Sequence, residues 1–398
     1  MTPEIKQRIT QLNNGEVPNG YEKTEIGTFP VGWKTTTLDK LLEFKNGVNA
    51  DKEKYNSGVK MISVMDILTD SPIYYDKIKG QVDIDEKTLD TYSVTYGDIL
   101  FQRSSETVED AGKSNVYLDK DRTATYSGFV IRGKKKADYN PYFLNEALRI
   151  GQVRNQIIRN AAGSQHINVG QDSLAKIIVP LASDVEQSNI AEILMKWDES
   201  IDLQEQYIDI LEIRKRYLMK KLLTPKDNWK YVLLGNICDI KTGRLDANAM
   251  EEDGIYPFFT CSKEVYRINQ YSFDCEALLM AGNGDIGDVK YYNGKFDAYQ
   301  RTYVLSNFSF NIKYVMQYLL LNFDRDVMKG MQKSSMPYIK LDLLKNAKIY
   351  YDPSIVEKTV TILSTVDNEI EQHNIKLQQL KKQRKALQQY LLNGIVRV

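Results

Sequence analysis

A heptad seam that occurs twice constrains this chain more than any other feature. Ile190, Leu194, Trp197, Ile201, Gln204, Ile208, Leu211, Lys215, Leu218 and Leu222 advance by alternating steps of 4 and 3, the spacing that holds one helix face against a partner helix. An offset of 169 gives Thr359, Leu363, Val366, Ile370, His373, Leu377, Leu380, Arg384, Leu387 and Leu391, a second seam with interior polar interruptions at the same two places. Identities across the pair include Ile193/Ile362, Asp198/Asp367, Leu211/Leu380 and Leu218/Leu387. Neither segment contains Gly or Pro, and each stops at a breaker, Thr224-Pro225 or Asn393-Gly394.

Each seam covers 33 residues, so each helix is about 50 Å long at about 1.5 Å per residue. Two narrow apolar stripes on one chain bury most simply on each other, and the sequence between them lets the helices run antiparallel. A pseudo-twofold pairing of this kind places Gln204 opposite Arg384 and Lys215 opposite His373, as a polar register device; solvated edge positions are the equal alternative.

At 398 residues the chain needs more than one core. The segments that precede the helices echo each other, Trp33-Lys34 with Leu38 and Gly47 matching Trp229-Lys230 with Leu234 and Gly243 at an offset of 196. Strand candidates are Asp98–Gln102, Thr125–Arg132 and Lys176–Val179 in the first half, and Ala277–Ala281, Thr302–Leu305 and Ala347–Tyr351 in the second. Tyr291–Phe296 reads as a hairpin turning at Asn293-Gly294. Helix candidates are Pro141–Arg159, capped by Asn140, and Ile312–Phe323.

Several chemistries find no support. Lys+Arg 53 against Asp+Glu 53 leaves no global charge to steer the chain to nucleic acid or membrane, so any electrostatic site is local. Three cysteines without a CxxC and two distant histidines, His166 and His373, argue against structural zinc, a disulfide framework or a Ser/His/Asp triad. The first thirty residues lack an apolar core of a signal peptide, and no apolar run approaches the roughly 20 residues of a membrane span, so a cytoplasmic protein without membrane contact is expected. Gly282-Asn283-Gly284-Asp285-Ile286-Gly287 matches GxGxxG, but strand-like sequence follows where a phosphate-binding helix is required; a glycine loop that lets backbone approach another surface fits better. Asp138–Phe143 lacks the second proline of an amino-methyltransferase loop. No catalytic residue and no metal ligand is assigned.

Polar and basic groups beside strand candidates suit DNA. In the first half they are Gln102, Arg103, Ser104, Ser105, Lys113, Asn115, Ser164, Gln165, His166 and Asn168. In the second they are Asn283, Lys290, Lys295, Gln300, Arg301, Lys333, Ser334 and Ser335. These residue types read base edges or hold phosphates, although each alone is also ordinary surface. The basic runs Arg132–Lys136 and Lys381–Lys385 read as solvated faces.

The arrangement resembles the specificity subunit of type I DNA restriction-modification systems. The residues that carry the resemblance are Pro30-Val31-Gly32-Trp33, Lys176–Leu181, Glu186-Gln187, Asp198–Ile201, Asp367–Ile370 and Leu391–Val398; their order and duplication are more specific than any one of them. Tyr350-Tyr351-Asp352-Pro353 departs from the Pro180 exit of the first half and leaves that boundary open. The resemblance implies an α+β fold: two α/β-type globular target recognition domains separated by two long antiparallel helices forming a coiled coil, with an internal pseudo-twofold repeat. The domains fall at 31–183 and 225–353, the helices at 184–224 and 354–398, and residues 1–30 pack near the helix ends. It further implies that each domain reads half of a bipartite asymmetric site in double-stranded DNA, and that the helices set the spacer and dock two modification (methyltransferase) subunits. It implies as well that restriction (endonuclease/translocase) subunits join the full complex. S-adenosylmethionine would belong to the modification subunits, ATP and magnesium to the restriction subunits, and no cofactor to this non-catalytic chain. A coiled-coil scaffold whose globules bind protein is the competing reading; a stand-alone methyltransferase or nuclease is the third.

Overall fold

The computed structural model describes residues 2–163, 166–326 and 338–398. The chain divides into two compact units, Met1–Leu203 with Gln378–Val398, and Gln204–Leu377. The expected helices are continuous, Asp184–Leu223 and Val356–Leu392, and each contributes to both units. Among the described residues no helix is long and apolar enough to cross a membrane.

The first unit is built on a four-stranded antiparallel sheet in the order Leu42–Asn46, Val130–Lys135, Ile99–Gln102, Ser114–Val116. Strand Lys34–Thr37 pairs with Ile178–Leu181 and closes the globule just before the first long helix. Its core joins Phe29, Trp33, Leu38, Phe101 and Phe143 to Ile190 and Leu194 of the first helix and Leu391 and Leu392 of the second. A second core, with Ile62, Tyr117 and Tyr126, fills an insertion carried by Tyr55–Ile62.

The second unit repeats the plan in the order Asp239–Thr242, Thr302–Ser306, Phe273–Ala281, Val289–Ala298, extended by Tyr256–Phe259 and Val265–Ile268. Lys230–Leu233 pairs with Lys348–Tyr351 as the closing pair. Registers agree as well: Asn46 opposes Ile131 where Thr242 opposes Tyr303, and Gln102 opposes Val130 where Ala281 opposes Thr302. The core again reaches the helices, through Met219, Leu223 and Leu363.

The seam positions Ile190, Leu194, Ile208, Leu211, Leu363, Val366, Leu377 and Leu391 are buried, and Trp197, Ile201, Leu218, Leu222, Ile370, Leu380 and Leu387 are half-buried. The helices pair antiparallel within each unit, in a register that corrects the expected polar contacts. In the first unit Arg384 donates to Asp198 at 2.8 and 3.1 Å. In the second Lys215 pairs with Asp367 at 2.6 Å, and Gln204 Nε2 donates to His373 Nδ1 at 2.7 Å. These contacts are counterparts under the 169-residue offset: Asp198–Arg384 maps onto Asp367–Lys215, and Gln204–His373 maps onto itself. The physical reason is charge. Gln204 opposite Arg384 would leave a cation on an amide, whereas the observed register gives each cation a carboxylate.

The globules reinforce this lock through equivalent helices. Pro141–Ala147 is capped by Asn140 Oδ1 accepting from Phe143 N–H at 3.1 Å, and Ile312–Asp326 begins with Asn311 accepting from Tyr314 N–H at 3.1 Å. From the first, Glu146 reaches Arg384 at 2.7 Å and the Tyr142 hydroxyl accepts from Arg384 at 2.9 Å. From the second, Gln317 Nε2, at the position of Glu146, donates to Asp367 at 2.6 Å. The guanidinium has donors for two carboxylates. Where lysine replaces it, the globule supplies a neutral amide.

Three local expectations are corrected. Strand Val289–Ala298 runs straight through Asn293-Gly294, which oppose Glu276 and Cys275; the turn of this hairpin is the loop 282–288, where Gly284 and Gly287 take φ of 65° and 92°. Ladder pairing along the whole of Phe273–Ala281 outweighs the local turn preference of Asn-Gly. Thr125–Arg132 is broken by a turn at Ser127–Val130, and Pro141–Arg159 is two helices, Pro141–Ala147 and Gly151–Arg159. At the N-terminus, helix Pro3–Asn13 brings Arg8 to the Ile395 carbonyl, and the Tyr21 hydroxyl donates to the Gly394 carbonyl. Gly394, at φ 64°, presses on Pro30, where a Cβ would lie 2.3 Å from Pro30 Cγ.

Candidate nucleic-acid interface

The same backbone frame stands at one end of the central sheet in each unit. In the first, Val169 N–H donates to Arg103 C=O (2.9 Å), Arg103 N–H to Phe129 C=O (3.0 Å), Val130 N–H to Ser127 C=O (2.9 Å) and Gly47 N–H to Val130 C=O (3.1 Å). In the second, Ile339 donates to Gly282 (2.9 Å), Gly282 to Arg301 (2.9 Å), Thr302 to Tyr299 (2.8 Å) and Gly243 to Thr302 (3.2 Å). The matched glycines follow from this frame. A Cβ would lie 2.2 Å from the Ser127 oxygen at Gly47 and, at Gly243, 2.6 Å from the Tyr299 oxygen and 1.8 Å from that of the preceding Ala298, so the strand lies against the turn only without a side chain.

Each frame borders a hollow. The first, about 510 Å³, is lined by Asn46, Arg103, Asn168, Val169 and, at the start of helix Gln171–Ala175, Gly170–Ser173. The second, about 490 Å³, is lined by Thr242, Gly282, Asn283, Gln300, Arg301, Tyr303, Tyr338 and Ile339. Asn46 corresponds to Thr242, Arg103 to Gly282, Asn168 to Tyr338 and Val169 to Ile339. The backbone is shared and the side chains are not.

In the first hollow the Arg103 guanidinium donates to the Gly128 carbonyl at 3.3 Å, which among the described residues leaves most of its donors unused. Strand Ser104–Ser105 pairs with Ile167–Asn168, and the Ser104 hydroxyl donates to the exposed Asn168 carboxamide. His166 is exposed, and at Gly163, with φ 141°, a Cβ would lie 1.9 Å from the His166 carbonyl oxygen. Gln102 and Ser105 point inward; Gln102 Nε2 donates to the Ser104 carbonyl at 2.9 Å, and Ser105 to the Thr107 carbonyl at 2.6 Å. Asn115 is 0% exposed and its amide donates to the carbonyls of Asp66, Thr69 and Ser71, which makes it a strut of the fold. Lys113 lies 2.5 Å from Asp110 and holds that carboxyl below the usual carboxylate range.

In the second hollow Asn283, Gln300 and Arg301 come together, and Gln300 and Arg301 are exposed with no side-chain partner among the described residues. Burial raises the Tyr303 phenol above its ordinary pKa, so it remains a neutral donor, to the Ile339 carbonyl at 2.8 Å. Lys290 is taken up by Asp288 and by the Ser262 carbonyl at 3.0 Å. Lys295 sits on its strand opposite Asp274, its ammonium 4.6 Å from the Tyr271 ring centre, outside the lining of the hollow. Ser164, Gln165, Lys333, Ser334 and Ser335 lie outside the described residues.

Two residues of the basic runs face inward: Arg132 is buried over the Tyr126 ring and Arg384 holds the helix lock. Phe129 is the group that a search for polar residues misses; it stands 66% exposed at the turn position that Arg301 occupies in the second unit. Among the described residues no group of three or more His, Cys, Asp or Glu is placed to hold a metal.

One hydrogen-bonded frame is thus kept in both units while the side chains around it differ. The chain belongs to the type I restriction modification DNA specificity domain family, whose model matches residues 30–212 and 226–382. It is 38% identical over 173 residues to the type I restriction enzyme EcoDI specificity subunit of Escherichia coli, an alignment that covers 42% of this chain and 38% of that one. It is 26% identical over 433 residues to the putative type I restriction enzyme MjaX specificity subunit of Methanocaldococcus jannaschii, covering 95% and 97%. The fold matches the crystal structure of a type I restriction-modification S subunit from M. genitalium with a TM-score of 0.59, 17% identity, and coverage of 91% and 96%. The family is one of recognition domains rather than catalytic ones, and DNA recognition by tandem domains is the task of this chain.

Proposed function

We propose that the chain is the sequence-reading subunit of a type I restriction-modification complex, in which each unit reads one half of a bipartite, asymmetric site in double-stranded DNA. The observation that carries this is the shared frame with changed side chains. One backbone scaffold presents Arg103, Asn168 and Phe129 in the first unit and Asn283, Gln300 and Arg301 in the second. Guanidinium and carboxamide forks match the acceptor and donor pairs on purine edges, and two different sets specify two unlike half-sites. His166, Lys113 and the lysines outside the hollows serve phosphate contacts, which add affinity without sequence information.

The long helices set the spacing of the half-sites and dock two modification subunits. The first helix offers a surface for this, since Leu203, Ile210, Ile213 and Tyr217 are exposed on it. In this reading the chain carries no cofactor and works in the cytoplasm: S-adenosylmethionine enters with the modification subunits, and ATP and magnesium with restriction subunits.

The test is selection of duplexes from a randomised library by the assembled complex. The wild type is expected to enrich two specified blocks, Arg103→Ala to relax one of them and Arg301→Ala the other. Relaxation of the same block by both variants, or of neither, contradicts the assignment.

A further inference from the structure

We propose that the inner residue of the frame's turn is a base-reading residue in each unit, Phe129 against the methyl group of a thymine and Arg301 against the acceptor edge of a guanine. This rests on the DNA-reading role given above and names the base chemistry at one position of each half-site.

The two side chains stand at one place. Ser127–Val130 and Tyr299–Thr302 are the same hydrogen-bonded turn, and the carbonyls of Phe129 and Arg301 each accept the frame's next N–H, from Arg103 and Gly282. Both turns are clamped from below, by Gly47 and Gly243. In the first unit Gly128 is held as well, for a Cβ there would fall 1.8 Å from Asn49 Oδ1. Only Phe129 therefore projects from that turn. Its ring is the most exposed aromatic among the described residues, at 66%.

An exposed apolar ring stands on this turn, beside the Arg103 guanidinium and a polar hollow. It suits the one apolar group that a base edge shows in the major groove, the thymine methyl. Arg301, at the same place with Gln300 beside it, suits the paired O6 and N7 acceptors of guanine. The frame sets where a side chain meets the base pair, and the residue at this turn position sets which base is accepted.

The experiment measures binding of the assembled complex to duplexes of its selected site in which each thymine in turn is replaced by uracil, which lacks the methyl, and each guanine by 7-deazaguanine, which lacks N7. Wild type is expected to lose about fourfold at one thymine of one half-site, the worth of one buried methyl. It is expected to lose on the order of tenfold at one guanine of the other half-site. The Phe129→Ala complex no longer senses that uracil and the Arg301→Ala complex no longer senses that deazaguanine, while each keeps the sensitivity of the other half. If wild type responds to analogues but both variants retain every response, the turn residues do not read bases and this inference falls alone. If wild type responds to no analogue yet still selects two specified blocks, this inference falls and the DNA-reading assignment stands; if it selects no block, both fall.

Discussion

Arg384 shows what a single residue holds together. Its side chain is 12% exposed, and it neutralises Glu146 at 1% and Asp198 at 18%. Removing one member of such a buried set strands the others without compensation, at about 3–5 kcal/mol. Arg384→Met is therefore expected to lower the thermal midpoint of the first unit sharply. Lys215→Met, at the more exposed counterpart pair, lowers the second unit's midpoint less; equal effects in calorimetry would contradict the description of the lock. Cys238 offers a residue-scale test by pH. Burial pushes its thiol up to about 12, and the thiol donates to the Leu234 carbonyl at 3.3 Å. At pH 8 native protein should react with a thiol reagent at the half-exposed Cys261 while Cys238 reacts only on unfolding. Since the folded pKa lies above the unfolded one, this group's contribution to stability is complete below about pH 8.5 and is lost as pH rises toward 12.

At the scale of elements, the Gln204–His373 contact fixes the register of the paired helices in the second unit. A polar pair on an apolar seam specifies alignment at some cost in stability. Leucines at Gln204 and His373 are expected to raise the midpoint of that unit and to broaden or split the spin-label distance between the helices; a single unchanged distance would mean that Lys215–Asp367 alone sets the register. The seams were legible because a heptad pattern over 33 residues leaves few alternatives. Their facing partners were not, since a seam states which face is buried and leaves its alignment to charges such as Asp198, which lies off the stripe. The hairpin placed at Asn293-Gly294 failed for a related reason: a local turn signal carries no knowledge of the strand Phe273–Ala281 that pairs along its length. Gly47 and Gly243 were visible as a matched pair, and the turn that requires them was not. Phe129 lay inside the strand candidate Thr125–Arg132, and only the frame shows it to be the counterpart of Arg301.

At the scale of the whole molecule, duplication with divergence is the functional principle. Counterparts drift from an offset of 196 at Gly47/Gly243 to 179 at Arg103/Gly282 and 170 at Val169/Ile339, which hides the common site from a search at fixed spacing. The drift reflects the longer insertion of the first unit, with its own core around Tyr117 and Tyr126. Frame and helices are retained while insertions and hollow linings vary, as the proposed pair of readers with one geometry and two specificities requires. The measurement that tests this most directly is a single-molecule map of methylated bases in a host that co-expresses the chain with the modification subunit proposed to join it. Two short specified blocks separated by a fixed unspecified gap are expected, and one heptad added at matching levels of both helices should widen the gap and leave the blocks unchanged. A continuous motif, or a gap that does not change with helix length, would contradict the account.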